Sequence, residues 1–205
     1  MIVVGITGAL ASGKTTVANL FADAGIPVFS ADAAVYEIYR TDPGAIAGVA
    51  PGATVDGRLD RTRLVTMIEK DPDLLGEVER VVHPLVRGRE EAFIAKARGD
   101  GHAIAVLEVP LLFESGAELL CDKILVTSAP AAVRAKRIAE RGTMSPALMR
   151  QLEARQINEE ERAARADYVV DGADALDEVA RQVGNIIGAL TGDADVALST
   201  DAKNA

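Results

Sequence analysis

The residues Gly8-Ala9-Leu10-Ala11-Ser12-Gly13-Lys14-Thr15 combine the types and spacing needed to hold phosphate. They have the form G-x-x-x-x-G-K-[ST], a loop that wraps the phosphates of a nucleotide. Gly8 and Gly13 admit the close backbone approach that a phosphate requires. Lys14 supplies a cation for the β- and γ-phosphates, and the Thr15 hydroxyl can ligate Mg²⁺. The backbone N–H groups of residues 11–16 would point at one spot, with the dipole of a following helix behind them. The predicted nucleotide contacts are therefore Gly8, Ala11, Ser12, Gly13, Lys14, Thr15 and Thr16.

Two elements must position this loop. Ile2-Val3-Val4-Gly5-Ile6 is an apolar run that suits a buried strand, and Thr15 to Phe21 spaces its apolar groups as a helix does. A chance motif in a Gly-rich turn would lack both flanks.

Composition narrows the function classes. The chain has 205 residues, 49% of them hydrophobic, which is enough for one α/β domain with an insertion. Only 3% are aromatic and there is no Trp, which argues against a base-stacking platform for nucleic acid. A formal charge of −9 argues against a broad grip on DNA or RNA, though a local basic pocket for one nucleotide remains compatible. The single Cys121 excludes an internal disulfide and fits a reducing compartment. No apolar run is long enough to span a bilayer, and the N-terminal stretch lacks the basic flank of a signal peptide. A cytoplasmic location is expected.

The rest of the chain reads as alternating strands and helices. The first helix is predicted from about Lys14 to Ala24, closed by Gly25 and Pro27. Val28-Phe29 forms a second strand ending at Ser30-Ala31-Asp32. Residues just past parallel strands gather on one sheet edge, so Asp32 can stand opposite the phosphate loop. The plain alternative is that Asp32 caps the next helix. From Thr41 to about Gly101 the strand signal vanishes. Leu74, Leu75, Val78, Val81, Val82, Leu85 and Val86 fall at helical spacing, and Pro84 predicts a kink or restart. His83 lies in that stripe, where a lone His reads first as a packed, hydrogen-bonded residue.

Ala103 to Val109 is a third strand with Glu108 near its end, the place of a metal-associated acid in phosphate-loop proteins. Pro110-Leu111-Leu112-Phe113-Glu114 is an apolar loop ending in a carboxylate. Lys123 to Thr127 is a fourth strand. Ala131 to Arg141 is a helix with Arg134, Lys136, Arg137 and Arg141, the densest basic cluster of the chain. Ser145-Pro146 reads as a helix start, and the charged helices to about Arg165 suit a mobile lid. Asp167 to Asp171 is a fifth strand and Ala175 to Leu190 a closing helix. Residues 191–205 have little apolar content and are expected to be disordered.

The ordered motifs resemble those of the dephospho-CoA kinases over roughly Ile2 to Leu190. The resemblance rests on Gly5-Ile6-Thr7-Gly8 through Thr15, Ala31-Asp32, Asp56-Gly57-x-Leu59-Asp60-Arg61, and Glu79-x-x-Val82-His83-Pro84-Leu85. It continues with Val109-Pro110-Leu111-Leu112-Phe113-Glu114, Arg137 with Arg141, and Ala166-Asp167. Four positions depart from the family's usual pattern: Ala11 replaces Gly, Ser30 an often-found Asp, Arg134 a common Gln, and Gly172 an Asn near the adenine base. The last is expected to loosen contacts to that base.

The resemblance implies a three-layer P-loop kinase fold of the α/β class, a five-stranded parallel sheet flanked by helices. One domain over 1–190 would have its core at about 1–40, 102–143 and 166–190, a helical acceptor-binding insertion at about 41–101, and a lid at about 144–165. It implies transfer of phosphate from ATP, with Mg²⁺, to the ribose 3′-hydroxyl of dephospho-CoA. Lys14, Asp32 and Arg137 would be catalytic, with Arg141 a further nucleotide contact and Thr15 on the metal. Asp32, His83, Leu111, Leu112, Phe113 and Glu114 would meet the acceptor. Partners would be these small molecules, without nucleic acid, membrane or an obligate protein partner. A nucleoside or nucleotide kinase fits the loop, Asp32 and Arg137 equally well. A GTPase-type switch fits poorly: an Asn-Lys-x-Asp motif is absent, and Asp73-Leu74-Leu75-Gly76 falls in a helical segment.

Overall fold

The structure, a computed structural model, describes residues 1–141 and 153–192, and of Arg141 the backbone alone. Five strands form one parallel sheet in the order β2-β5-β1-β6-β7. They are β1 (Ile2–Gly8), β2 (Val28–Ser30), β5 (Ile104–Glu108), β6 (Lys123–Ser128) and β7 (Tyr168–Asp171). The central strand β1 pairs in parallel with β5 from Ile2↔Ile104 to Ile6↔Glu108, and with β6 from Val4↔Lys123 to Gly8↔Thr127. Helices cover both faces of such a sheet, so β1 and β5 read as continuous apolar runs and are almost wholly buried.

The chain packs as two compact units, Met1–Phe29 with the residues from Phe93 onward, and Ser30–Ala92. The first unit holds the sheet, α1 (Lys14–Asp23), α6 (Ala131–Arg141), α7 (Glu159–Ala164) and α8 (Leu176–Thr191). Its core joins Val4, Ile6 and Val106 of the sheet to Val17 and Phe21 of α1 and Val183 and Ile187 of α8. In the second unit lie α2 (Ala31–Thr41), α3 (Pro43–Ala47), α4 (Arg61–Lys70) and most of α5 (Asp73–Gly99).

Two local expectations are corrected and one is narrowed. The segment after Thr41 is not free of strand: β3 (Thr54–Val55) and β4 (Arg58–Leu59) pair antiparallel around Asp56-Gly57. Asp56 and Gly57 both take positive φ, 50° and 72°, the backbone of a tight hairpin turn. Of the two outcomes that Pro84 predicts, the restart does not occur: α5 runs as one helix through it. Pro84 and its neighbours His83 and Leu85 are exposed, so water can satisfy the Arg80 carbonyl that lacks a helical donor. His83 is therefore not packed in the apolar stripe. The buried line is Leu74, Val78, Val82 and Val86, and His83 lies about 100° around the helix from Val82.

The closing helix α8 reaches Thr191, with Gly192 in left-handed conformation at its end (φ 80°). Thr191 and Gly192, expected in the disordered tail 191–205, instead close this helix; the rest of that tail, from 193, and residues 144–152 of the expected lid, with Ser145-Pro146, lie outside the described residues. The described remainder of that lid is fastened to the 110–118 loop. Gln156 Nε2 donates to the Pro110 carbonyl (3.2 Å) and Ile157 N–H to Glu114 Oε1 (2.8 Å). The Arg165 guanidinium stacks 4.0 Å over the Phe113 ring and pairs with Glu118 at 3.3 Å. Arg162 is 3% exposed and donates to the Ile157 carbonyl at 2.7 Å. Burial disfavours its charged form, and Glu114 and Glu159 counter that.

Candidate active site

Strand β1 ends at Gly8, and α1 begins at Lys14 directly behind the N-cap Gly13. The intervening loop is held by backbone shape and by two hydroxyls. Gly13 has φ 105°, and a Cβ on Gly8 would lie 2.3 Å from the Thr127 carbonyl oxygen and 2.4 Å from its hydroxyl. No side chain fits at position 8. Ser12 Oγ and Thr127 Oγ1, both buried, lie 2.6 Å apart and tie the loop to β6. Ala11 also adopts left-handed backbone, φ 59°. This explains why glycine is usual there in the family that the sequence resembles, and shows that alanine carries a backbone cost at that position.

Lys14 Nζ folds over the loop and donates to the carbonyls of Gly8 and Ala9, each at 3.0 Å. The Thr15 hydroxyl donates to Glu108 Oε1 at 2.7 Å. Glu108 is the last residue of β5 and is 8% exposed. A buried carboxylate beside the loop threonine is the oxygen-rich donor set that a hard divalent cation takes, with water completing its shell. The two residues fit Mg²⁺. Among the described residues no group of three or more His, Cys, Asp or Glu could hold a metal, so water would supply most of the ligands.

Arg137 bridges two parts of the site. Its Nη1 donates to the Ala11 carbonyl (3.2 Å) and its Nη2 to the Gly172 carbonyl (2.7 Å). Helix α6 presents it because Arg134, Lys136 and Arg137 point different ways. Arg134 pairs with Glu153 (2.9 Å) and donates to the Ala129 carbonyl, while Lys136 is exposed beside Glu140. The basic cluster read from the sequence thus divides, and of its described side chains Arg137 alone faces the phosphate loop. The side chain of Arg141 lies outside the described ones.

Gly172 answers its sequence expectation differently. A Cβ there would stand 2.0 Å from the Ser12 carbonyl oxygen. The glycine lets the β7–α8 turn rest on the phosphate loop, so no side chain has room to approach a base from this position. Gln182 holds the same turn from α8: Oε1 accepts from Asp171 N–H (3.2 Å) and Nε2 donates to Asp174 (2.8 Å). Gly13, Thr16, Arg137, Gly172, Asp174, Leu176 and Val179 line a hollow of about 310 Å³ at this place.

The remaining candidates fall as follows. Asp32 is the second residue of α2 and exposed; Ser30 occupies the N-cap, so Asp32 is not the cap. His83 is exposed on α5. Leu112 has no exposed surface: it fills the space beside Gly5 of β1, where a Cβ would come within 3.1 Å of it. Phe113 is 8% exposed beneath Arg165. Neither lines an open pocket, because the loop turns both into the core; Leu111 is half-buried and Glu114 is exposed. Asp167, part of the resemblance, directly precedes β7: it accepts from Ile124 N–H and pairs with Lys123 Nζ at 2.7 Å. The hydrogen bond from Lys123 holds its carboxyl below the usual aspartate range.

Sequence reasoning placed Glu108 at a metal-associated strand end without assigning it to the site, and gave Thr127 and Gln182 no role. Glu108 had a signal, an acid at the end of a buried strand. Thr127 and Gln182 had none, because the packing of separate elements decides what they touch.

A phosphate loop on the C-terminal edge of a parallel sheet, with an arginine laid across it, is the apparatus of phosphoryl transfer from a nucleotide; the chain is a P-loop kinase. The family model described as dephospho-CoA kinase matches residues 2–178. A dephospho-CoA kinase of Agrobacterium fabrum is 42% identical over 188 residues, 91% of this chain and 97% of that protein. A solved structure from Thermus thermophilus shares 34% identity at TM-score 0.78, covering 92% of this chain and 96% of the other. A dephospho-CoA kinase from Campylobacter jejuni, 21% identical with TM-score 0.69, covers 93% of this chain and 98% of its own and shows the same fold. The chain belongs to the dephospho-CoA kinase family.

Proposed function

We propose that this chain transfers the γ-phosphoryl group of ATP to the ribose 3′-hydroxyl of dephospho-CoA, giving coenzyme A. Arg137 and the Thr15–Glu108 pair, gathered at the phosphate loop, support the phosphoryl-transfer part of this reading. Family membership supports the acceptor.

Phosphoryl transfer demands charge neutralisation and alignment more than covalent chemistry. Lys14 leaves two backbone carbonyls for the β- and γ-phosphates, and the loop N–H groups hold the rest. Arg137, held beside the loop on the Ala11 and Gly172 carbonyls, would turn its planar fork to the transferred group. Thr15 and Glu108 would hold Mg²⁺, which supplies further positive charge to the phosphates. Asp32 accepts a hydrogen bond from the acceptor hydroxyl and orients it. Lid closure over the bound substrates excludes water as a competing acceptor.

Among the described residues no helix is long and apolar enough to cross a membrane. A cytoplasmic enzyme that needs only its small-molecule substrates is part of the same proposal. The test is steady-state kinetics with dephospho-CoA for the wild type and for Asp32→Asn. Ser30 occupies the N-cap position of α2, so the substitution leaves the cap in place, and the melting curve should shift by no more than about 1 kcal/mol of stability. Turnover should fall about 10²–10⁴-fold. Wild-type turnover from Asp32→Asn would remove Asp32 from the chemistry.

A further inference from the structure

Helix α7 reads Glu-Glu-Glu-Arg-Ala-Ala, and its one buried residue is Arg162. A surface helix ordinarily docks through an apolar stripe. This one has none, and so short a helix does not persist in water unaided. Asn158 caps it, its side chain accepting from the Glu161 N–H at 2.7 Å. What anchors it from beneath is a guanidinium, 3% exposed.

Burying that charge opposes folding. Its basic neighbours each pair with a carboxylate, Arg134 with Glu153 at 2.9 Å and Arg165 with Glu118 at 3.3 Å. Arg162 forms no ion pair among the described residues. Glu114 of the 110–118 loop and Glu159 of its own helix favour the charge, and Arg134 of α6 opposes it. An apolar side chain of similar volume is often as stable or more stable at such a position. Stability therefore does not account for an arginine here.

Its contacts lead to the phosphate loop. Arg162 Nη2 donates to the Ile157 carbonyl at 2.7 Å, and the Ile157 N–H donates to Glu114 Oε1 at 2.8 Å. Next to it, Gln156 Nε2 donates to the Pro110 carbonyl at 3.2 Å. The buried Thr7 hydroxyl donates to that same carbonyl, also at 3.2 Å. Thr7 directly precedes Gly8, where the phosphate loop begins, and its carbonyl accepts from Thr127 Oγ1 at 3.4 Å, the hydroxyl that ties down Ser12. Pro110 stands two residues past Glu108, the carboxylate that holds the Thr15 hydroxyl.

We propose that Arg162 is a positioning residue of the phosphoryl transfer: it sets Gln156 on the Pro110 carbonyl and so fixes the strand ends that carry the phosphate loop and Glu108. The inference rests on the reading that this loop phosphorylates dephospho-CoA. The guanidinium grips a backbone carbonyl, so it fixes the main chain at Ile157 and keeps the preceding amide side chain on Pro110. Buried beneath α7, it acts through these contacts and not on the substrates.

The test compares wild type, Arg162→Met, Arg162→Lys, Gln156→Ala and the double variant Arg162→Met with Gln156→Ala, by melting curve and by kcat and KM for dephospho-CoA and ATP. Arg162→Met should melt no earlier than wild type, yet its kcat should fall roughly 10- to 100-fold, the loss that a misplacement of up to ~1 Å causes. Arg162→Lys keeps a charged donor and should recover part of that loss. Gln156→Ala should lose kcat to a similar degree, and the KM for ATP should stay near wild type throughout. Both residues act on one path, so the double variant should be about as slow as the slower single variant. Wild-type turnover in Arg162→Met or in Gln156→Ala overturns the inference, and so do losses that multiply in the double variant. Early melting or misfolding of Arg162→Met overturns it too, since Arg162 would then serve the fold. All of these leave the function intact, whereas a wild-type protein that forms no coenzyme A overturns the function and the inference together.

Discussion

Replacing Gly172 with Ala puts a methyl group 2.0 Å from the Ser12 carbonyl oxygen, 3.1 Å from its carbonyl carbon and 3.4 Å from the Ser128 carbonyl oxygen. All three are backbone atoms, so no rotamer relieves the contact. One segment must move by more than an ångström. Neither is loose: Ser12 is tied to Thr127 at 2.6 Å, and Gly172 N–H donates to the Ser128 carbonyl at 2.8 Å. Forced expansion of a packed contact costs about 1–3 kcal/mol. For a chain of this size each kcal/mol lowers the melting temperature by roughly 2–4 °C. The same movement displaces the phosphate loop and the carbonyl that holds Arg137, and a misplacement of ~1 Å costs on the order of 10²-fold in rate. The assay is a melting curve beside ADP release with dephospho-CoA. Gly172→Ala should melt several degrees early and turn over about 100-fold more slowly. The control is Gly88→Ala on α5, where a Cβ meets nothing within 4 Å. It should add about 0.5–1 kcal/mol of helix stability without touching the kinetics. A Gly172→Ala protein with wild-type melting and turnover would refute the close contact between the β7–α8 turn and the phosphate loop.

Three further substitutions probe separate parts of the account. Ala11→Gly removes a left-handed backbone cost of about 1 kcal/mol and raises chain entropy in the unfolded state by ~0.4–1 kcal/mol; denaturant unfolding should find it neutral to slightly more stable, and a clear loss would contradict the strain. Glu108→Gln keeps an acceptor for the Thr15 hydroxyl but removes the charge, so the Mg²⁺ concentration for half-maximal activity should rise roughly 10- to 100-fold; an unchanged Mg²⁺ titration would exclude Glu108 from the metal. Asp167→Asn removes a carboxyl whose pKa is lowered in the fold by Lys123, a contribution present above the usual aspartate range and lost as pH falls through the lowered value. Melting curves should therefore show a deficit for Asp167→Asn at neutral pH that closes in acid, and a deficit that is constant with pH would contradict the ion pair's part in stability.

The sheet and the phosphate loop were legible because their signals are local. A strand buried on both faces is an unbroken apolar run, and the G-x-x-x-x-G-K-[ST] spacing is fixed by the phosphate that it wraps. The hairpin at Thr54–Leu59 was not legible, since strands of two residues are too short to show a period. Gly172 read as a missing side chain because its neighbour, Ser12, is distant in sequence. Leu112 and Phe113 read as pocket residues because an apolar loop next to a strand end looks alike whether it turns toward substrate or toward the core. His83 read as buried because apolar residues surround it in sequence, whereas the burial line of α5 is narrower than its apolar content. Asp32 stands just past β2 as read, and the alternative that it caps α2 is not met, since Ser30 holds the N-cap position. Side-chain capping depends on backbone angles at one residue, which the sequence does not display.

The most direct test of the central claim is a panel of acceptors with one donor. The protein is incubated with Mg-ATP and, in separate reactions, with dephospho-CoA, adenosine, uridine and AMP, and each product is read by mass and by phosphorus NMR. The account predicts one added phosphoryl group on dephospho-CoA, carried on the ribose 3′-oxygen, with little product from the other three. Efficient phosphorylation of a nucleoside or of AMP, with dephospho-CoA unchanged, would contradict it.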